Sequence, residues 1–163
     1  MGYLTQFTAA VALLFFSTIP AMASDTVLTV SGVSTSTETT ATYEYAFSDL
    51  RGDGEVTFTT TTPWTEGEQT FTGVPLSSFV SSLGIKTGKL RATAVNDYSV
   101  EIPISDALLE GPIIAFLRND ERMSVREKGP LWIVYPYDSN AKFRTEIVYS
   151  RSIWQLDRIV VSE

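Results

Sequence analysis

The chain has 163 residues, nineteen of them acidic and twelve basic, for a formal net charge of −7, and it contains neither cysteine nor histidine. The missing thiol and imidazole exclude a thiol nucleophile, a thiolate-ligated metal, an iron–sulfur cluster, a disulfide framework and the commonest general base. The negative balance argues against non-specific binding to nucleic acid or anionic lipid.

Residues 1–23 carry no charged side chain; Phe7 to Ile19 is an apolar run, Pro20 breaks it, and Ala21-Met22-Ala23 supplies a small-x-small pattern. The pattern predicts a secretory signal peptide over 1–23 with cleavage before Ser24, although no Lys or Arg precedes the run. The run is short for a membrane span, so no direct membrane binding is expected after cleavage, an uncleaved anchor being the alternative. Residues 24–163 then form one domain of about 140 residues, enough for a core. Charge is uneven within it: Ser24 to Ile85 holds eight acids and one base, Arg51, whereas Lys86 to Glu163 holds eleven of each.

Val27, Leu28 and Val30 mark a first strand over Asp25 to Gly32, and Ser31 to Thr42, rich in Ser and Thr, reads as a loop or loose edge. Tyr43 and Tyr45 alternate with polar neighbours in a second strand, and Ser48-Asp49-Leu50 reads as a helical turn capped by Ser48. A turn at Gly52-Asp53-Gly54 leads into a threonine-rich strand, Glu55 to Thr62, that ends at Pro63-Trp64. Leu76, Phe79, Val80 and Leu83 at i, i+3, i+4 and i+7 predict a helix opened by Gly73-Val74-Pro75 and stopped by Gly84. Leu90 to Val95 and Tyr98 to Ile104 form a hairpin about Asn96-Asp97. Ser105 to Leu109 reads as one helical turn, and Ile113 to Leu117 as a central strand before a turn at Asn119-Asp120. Lys128-Gly129-Pro130 then opens an alternating strand, with Leu131, Ile133 and Tyr135 on one face and Trp132, Val134 and Pro136 on the other. Ile153 to Val161 closes the chain as a buried strand. With no repeat and no linker, the prediction is a single α+β domain, mostly β, with mixed sheets and one or two short helices.

Four fragments carry a resemblance: Trp64…Phe71-Thr72-Gly73-Val74-Pro75-Leu76, Asn96-Asp97-Tyr98, Lys128-Gly129-Pro130-Leu131-Trp132-Ile133-Val134-Tyr135-Pro136, and Ser152-Ile153-Trp154-Gln155-Leu156-Asp157-Arg158-Ile159. In this order they resemble the molybdopterin-binding domain of the sulfite oxidase family, over roughly residues 43–161. The resemblance implies a reduced sulfite-oxidase-like fold. The chain departs where catalytic members place a molybdenum-binding cysteine, since the matching stretch here is Thr59 to Thr62, and hydroxyls are poor ligands for that metal. Trp132 stands where those enzymes carry an arginine. The chain is more similar to small, cysteine-less periplasmic pterin-binding regulators. That likeness implies a periplasmic protein that holds a free reduced pterin, lacks the molybdenum cofactor and has no catalytic residue. It also implies docking of the loaded protein on the periplasmic domain of an inner-membrane sensor that controls cyclic di-GMP. A molybdopterin-dependent oxidoreductase and a cofactor-free interaction module are the alternatives.

A flat polar heterocycle needs a face to stack on and convergent donors and acceptors at its edge. Trp64 and Trp132 are open to either reading, stacking surface or core, whereas Trp154 reads as core. Tyr135 and Tyr137 point the same way from the strand's end, so one can be core and the other rim. Asp138, Asn96, Asp97 and Asn119 are candidates for the polar edge, although residues of this kind are more often simply turn residues. Arg118, Arg122, Arg126 and Lys128 read as a solvated loop or, with Arg151, as phosphate ligands. Thr61, with Thr59, Thr60 and Thr62, would line the position a metal occupies in the catalytic relatives.

Overall fold

The computed structural model describes residues 25–34, 40–51 and 54–162, so the expected signal peptide and the turn at Gly52-Asp53 lie outside the described residues. In chain order these residues form β1 (Thr26–Ser34), β2 (Thr40–Ala46), α1 (Phe47–Leu50), β3 (Val56–Thr61), β4 (Glu68–Pro75), α2 (Leu76–Ser82), β5 (Lys89–Ala94), β6 (Ser99–Pro103), β7 (Ile113–Arg118), β8 (Glu121–Arg122), β9 (Leu131–Val134), α3 (Glu146–Ser150) and β10 (Ile153–Ser162). The domain is α+β and mostly β, as expected, with three short helices among the described residues rather than one or two.

A single mixed sheet runs in the order β2-β1-β10-β9-β7-β4-β3, with the β5–β6 hairpin paired to β10 and β8 to β7. β9 sits at its centre because all four of its side chains find cover: Leu131, Trp132, Ile133 and Val134 are fully buried. On one face Ile133 lies beside Ile114 and Ile153; on the other Trp132 lies beside Ala115 and Trp154. The methyl of Ala115 leaves room for the indole over β7. The strand ends before Pro136, which has no N–H to give to a ladder.

Several boundaries differ from expectation. β1 and β2 extend into the stretch read as a loop, through Ser34 and from Thr40, because antiparallel pairing of Val33 with Ala41 outweighs weak local hydrophobicity. The helical turn α1 starts after Ala46, whose N–H donates to Asp49 Oδ2 at 2.8 Å, so Ser48 is inside the turn and not its cap. Phe71 to Pro75 belongs to β4, a strand absent from the sequence reading, and α2 opens at Leu76. Gly73 lies where β4 steps out of register against β7, and a Cβ there would stand 2.2 Å from the Ile114 carbonyl oxygen. Only glycine lets the two backbones approach so closely. Residues 104–106 form a single 3-10 turn in place of the turn expected over Ser105 to Leu109.

Candidate functional site

Residues 135–150 leave β9 and cross the face of the sheet that carries Trp132. On the β10 side of this crossing lies a cavity of about 330 Å³ lined by Trp64, Ala94, Asn96, Tyr98, Tyr149, Ser152, Ile153 and Trp154. Its walls are aromatic. Trp64 and Trp154 lie 5.3 Å apart between ring centroids, and Tyr149 meets Trp64 edge-on at 6.0 Å and 89°. The Lys128 ammonium stands 4.5 Å from the Trp154 ring centre, within reach of a cation–π contact.

Each wall has a local cause. Pro63 and the turn after β3 deliver Trp64, whose N–H donates to Thr62 Oγ1 at 3.1 Å. The β5–β6 turn places Asn96 next to Asp97, which takes the left-handed backbone that Asp tolerates at φ 66°. Helix α3 begins at Thr145, whose hydroxyl accepts from the Val148 N–H, and it brings Tyr149 over the cavity. In β10, Trp154 is the cross-strand partner of Trp132, so one indole is sealed and its neighbour is partly open.

The polar groups at this cavity retain specific capacity. Asn96 Oδ1 accepts from the Tyr98 N–H at 3.2 Å, which leaves its amide NH₂ to donate. The Ser152 hydroxyl donates to the Val148 carbonyl at 3.1 Å and receives the Tyr137 hydroxyl at 2.6 Å, which leaves one acceptor lone pair. A donor and an acceptor thus sit among stacking rings.

The structure brings two of the candidates, Trp64 and Asn96, to the cavity. Trp132 is fully buried beneath it, touching Trp64 at 6.1 Å and Phe71 at 5.3 Å between centroids, and its indole N–H has no partner among the described residues. Tyr137 is buried behind Trp64 and holds Ser152. Tyr135 is buried on the other side of the crossing, where its hydroxyl donates to Asp106 Oδ2 at 2.8 Å. Arg151 Nη1 donates to both oxygens of the same carboxylate, at 3.0 and 2.9 Å, so Arg151 locks the end of α3 to the 3-10 turn at residues 104–106. Burial pushes both phenols well above their ordinary pKa, and the Asp106 charge raises that of Tyr135 further, so both are neutral donors.

Asp138 is exposed and ties the end of β3: its carboxylate accepts from the Thr61 N–H and from the Thr61 and Thr60 hydroxyls. The Thr61 N–H, then these hydroxyls, hold its carboxyl below the usual carboxylate range. Asp97 accepts from Arg158 Nη2 at 2.6 Å, and Arg118 ends β7 in register with Phe71; neither lines the cavity. Asn119 bonds Thr70 through side chain and backbone. Arg122 lies 3.5 Å over the Phe47 ring. Tyr98, Tyr149, Ser152 and Trp154 line the cavity without having been singled out for it. The signal that could have found them is the pairing of β10 with β9, which sets Trp154 beside Trp132.

The cavity lies at the lower end of the size range for small-ligand sites, about 300 Å³ and above, which combine apolar walls with few polar groups. For molybdenum the chain offers no thiolate donor. The hydroxyls of Thr60 and Thr61 are engaged by Asp138, and among the described residues no cluster of acidic side chains is suited to a metal ion. No family model matches the chain, and no curated protein matches it.

Proposed function

We propose that the domain is a non-catalytic, exported binding protein for a free reduced pterin, with the reduced sulfite-oxidase-like fold its motifs resemble, and that it relays occupancy to a membrane-bound signalling partner. The observation that carries the reading is the aromatic cavity, in which Trp64 and Trp154 offer stacking faces while Asn96 and Ser152 offer one donor group and one acceptor. A pterin's carbonyl and amino groups call for that complement. Binding can signal only by favouring one conformation over another. The cavity is suited to this because three separate segments wall it: the turn after β3, the β5–β6 turn and helix α3.

The test uses the exported protein as purified. Its released small molecules are identified by mass spectrometry and its metal content is measured on the same sample; stripped protein is then titrated with tetrahydrobiopterin by calorimetry. A pterin without molybdenum, and a loss of affinity of about tenfold or more in Trp64→Ala, are the expected results, since one stacked aromatic ring is worth about 1 kcal/mol or more. Molybdenum with a pyranopterin would establish the oxidoreductase instead, and no bound molecule with no titration would leave the cofactor-free module.

A further inference from the structure

On the opposite flank from the aromatic cavity, β3 closes the sheet, and among the described residues its outer edge is unpaired. It pairs with β4 alone, in continuous register from Val56 opposite Gly73 to Thr61 opposite Glu68. Two bonds fix which of its backbone groups face outward. The Thr70 N–H donates to Asn119 Oδ1 and the Thr70 carbonyl accepts from the Asn119 N–H, so Thr70 turns its backbone away from β3. Its cross-strand partner Thr59 therefore belongs to a non-hydrogen-bonded pair and turns its own N–H and C=O outward. The Thr61 N–H bonds Asp138 and not β4, which gives the same parity independently. Thr57 and Thr59 thus present free N–H and C=O groups along an exposed edge, while their side chains bond Thr72 and Thr70 at 2.8 and 3.0 Å.

Proteins usually blunt such an edge with lysine, proline or a bulge. β3 has none of these. Beside it lies an apolar groove of about 280 Å³ whose walls include Val56, Phe58, Pro75, Leu109 and Pro136, and Leu109 is 90% exposed at its rim. The charge around this edge is mostly acidic. Glu110 lines the groove, Glu55 precedes β3, Glu68 faces its end, and no Lys or Arg occurs from Gly54 to Pro75. Arg51 lies 3.6 Å from Glu55, and the Arg144 charge acts on Asp138 where it ties the end of β3.

We infer that β3 is a docking edge for an extended segment of a protein partner in which apolar residues alternate with lysine or arginine. The segment adds a strand through Thr57 and Thr59, sets one apolar side chain in the Phe58–Leu109 groove, and places its basic residues near Glu55, Glu68 and Glu110. A second copy of this chain is the poorer occupant, because two such edges would bring like charges together. The relay reading supplies only the identity of the partner, the signalling protein; the edge itself stands on the geometry above. Trp64 lies three residues beyond β3, so a ligand at the cavity and a strand at the edge share one segment.

The test titrates the isotope-labelled protein with a short peptide alternating valine with lysine, and with a control carrying glutamate in place of lysine. The expected result is binding of the basic peptide alone, with slowed hydrogen exchange at the Thr57 and Thr59 amides. Thr59→Pro removes an N–H that β4 does not use and is expected to weaken peptide binding about tenfold; Leu109→Ser is expected to weaken it several-fold. Equal binding of the acidic control, binding without protection of those two amides, or no binding overturns the inference; so does self-association that Thr59→Pro abolishes, which would make the occupant a second copy. The exchange measurement on the unmodified protein decides the matter even where Thr59→Pro fails to fold. Titrating tetrahydrobiopterin into the same samples separates the two readings: peptide binding without pterin binding retires the ligand and keeps the edge, and the converse retires the edge.

Discussion

The two flanks of the sheet are held by different chemistry. On the β10 side, Trp64, Trp132, Trp154, Tyr137 and Tyr149 meet ring to ring, with a single hydroxyl pair behind them. On the β3 side, threonine hydroxyls bond threonine hydroxyls across β3 and β4, and the Asp138 carboxylate gathers Thr60 and Thr61. The aromatic flank is stabilised by area removed from water, the threonine flank by exchangeable polar bonds that are each worth little net. That difference underlies the two proposals: a preformed aromatic wall suits a small flat molecule, and a polar, lightly packed edge suits a polypeptide.

The largest effect is expected from the sealed indole of the first flank. Trp132→Ala removes a fully buried side chain and should destabilise the domain by about 4 kcal/mol in denaturant unfolding followed by far-ultraviolet circular dichroism. A cost below about 1 kcal/mol would mean that the cluster is not close-packed. Tyr137→Phe tests the polar latch behind the rings. It deletes the bond to Ser152 and should cost about 1 kcal/mol, while leaving Ser152 bonded to Val148. Ligand binding should be kept if Ser152 is an acceptor for the ligand, because its hydroxyl still donates to the Val148 carbonyl and keeps its lone pairs.

The smallest effect belongs to the threonine flank and depends on pH. The Asp138 carboxyl is held low by Thr61 and Thr60, so the unfolded chain binds its proton more readily than the folded one. Its contribution is fully present above the unfolded value of about 4 and is lost as pH falls through the lowered folded value. Asp138→Asn should therefore cost only about 0.5 kcal/mol at neutral pH, given its exposure, and nothing in strong acid. A stability difference that stays constant from neutral pH into strong acid would show that the carboxylate's charge is not what ties β3.

Strong local periodicity is legible in this sequence, and pairing across long separations is not. The alternation over Leu131 to Val134, the hairpin about Asn96-Asp97 and the apolar stripe Leu76, Phe79, Val80 each contain their own signal. β4 does not, since Glu68 to Gly73 lacks alternation and owes its form to β3 on one side and β7 on the other. Helix α3 is five residues long and too short to show a period. The same limit governs the cavity. Trp64 and Asn96 are conspicuous beside Pro63 and in a turn. Tyr149 and Trp154 become walls only when α3 docks and β10 pairs with β9, which is why Trp154 reads as core in the sequence.

All three tryptophans of the chain lie in one cluster, with centroid separations of 5.3 to 6.1 Å. Intrinsic emission is therefore a single-site signal. It reports the cavity and is nearly blind to β3, so a transition seen by tryptophan emission before one seen by the backbone would mark loosening of the aromatic flank alone. Energy transfer among the three rings also makes their combined spectrum sensitive to any molecule that stacks on Trp64 or Trp154, and the protein carries this reporter without a label.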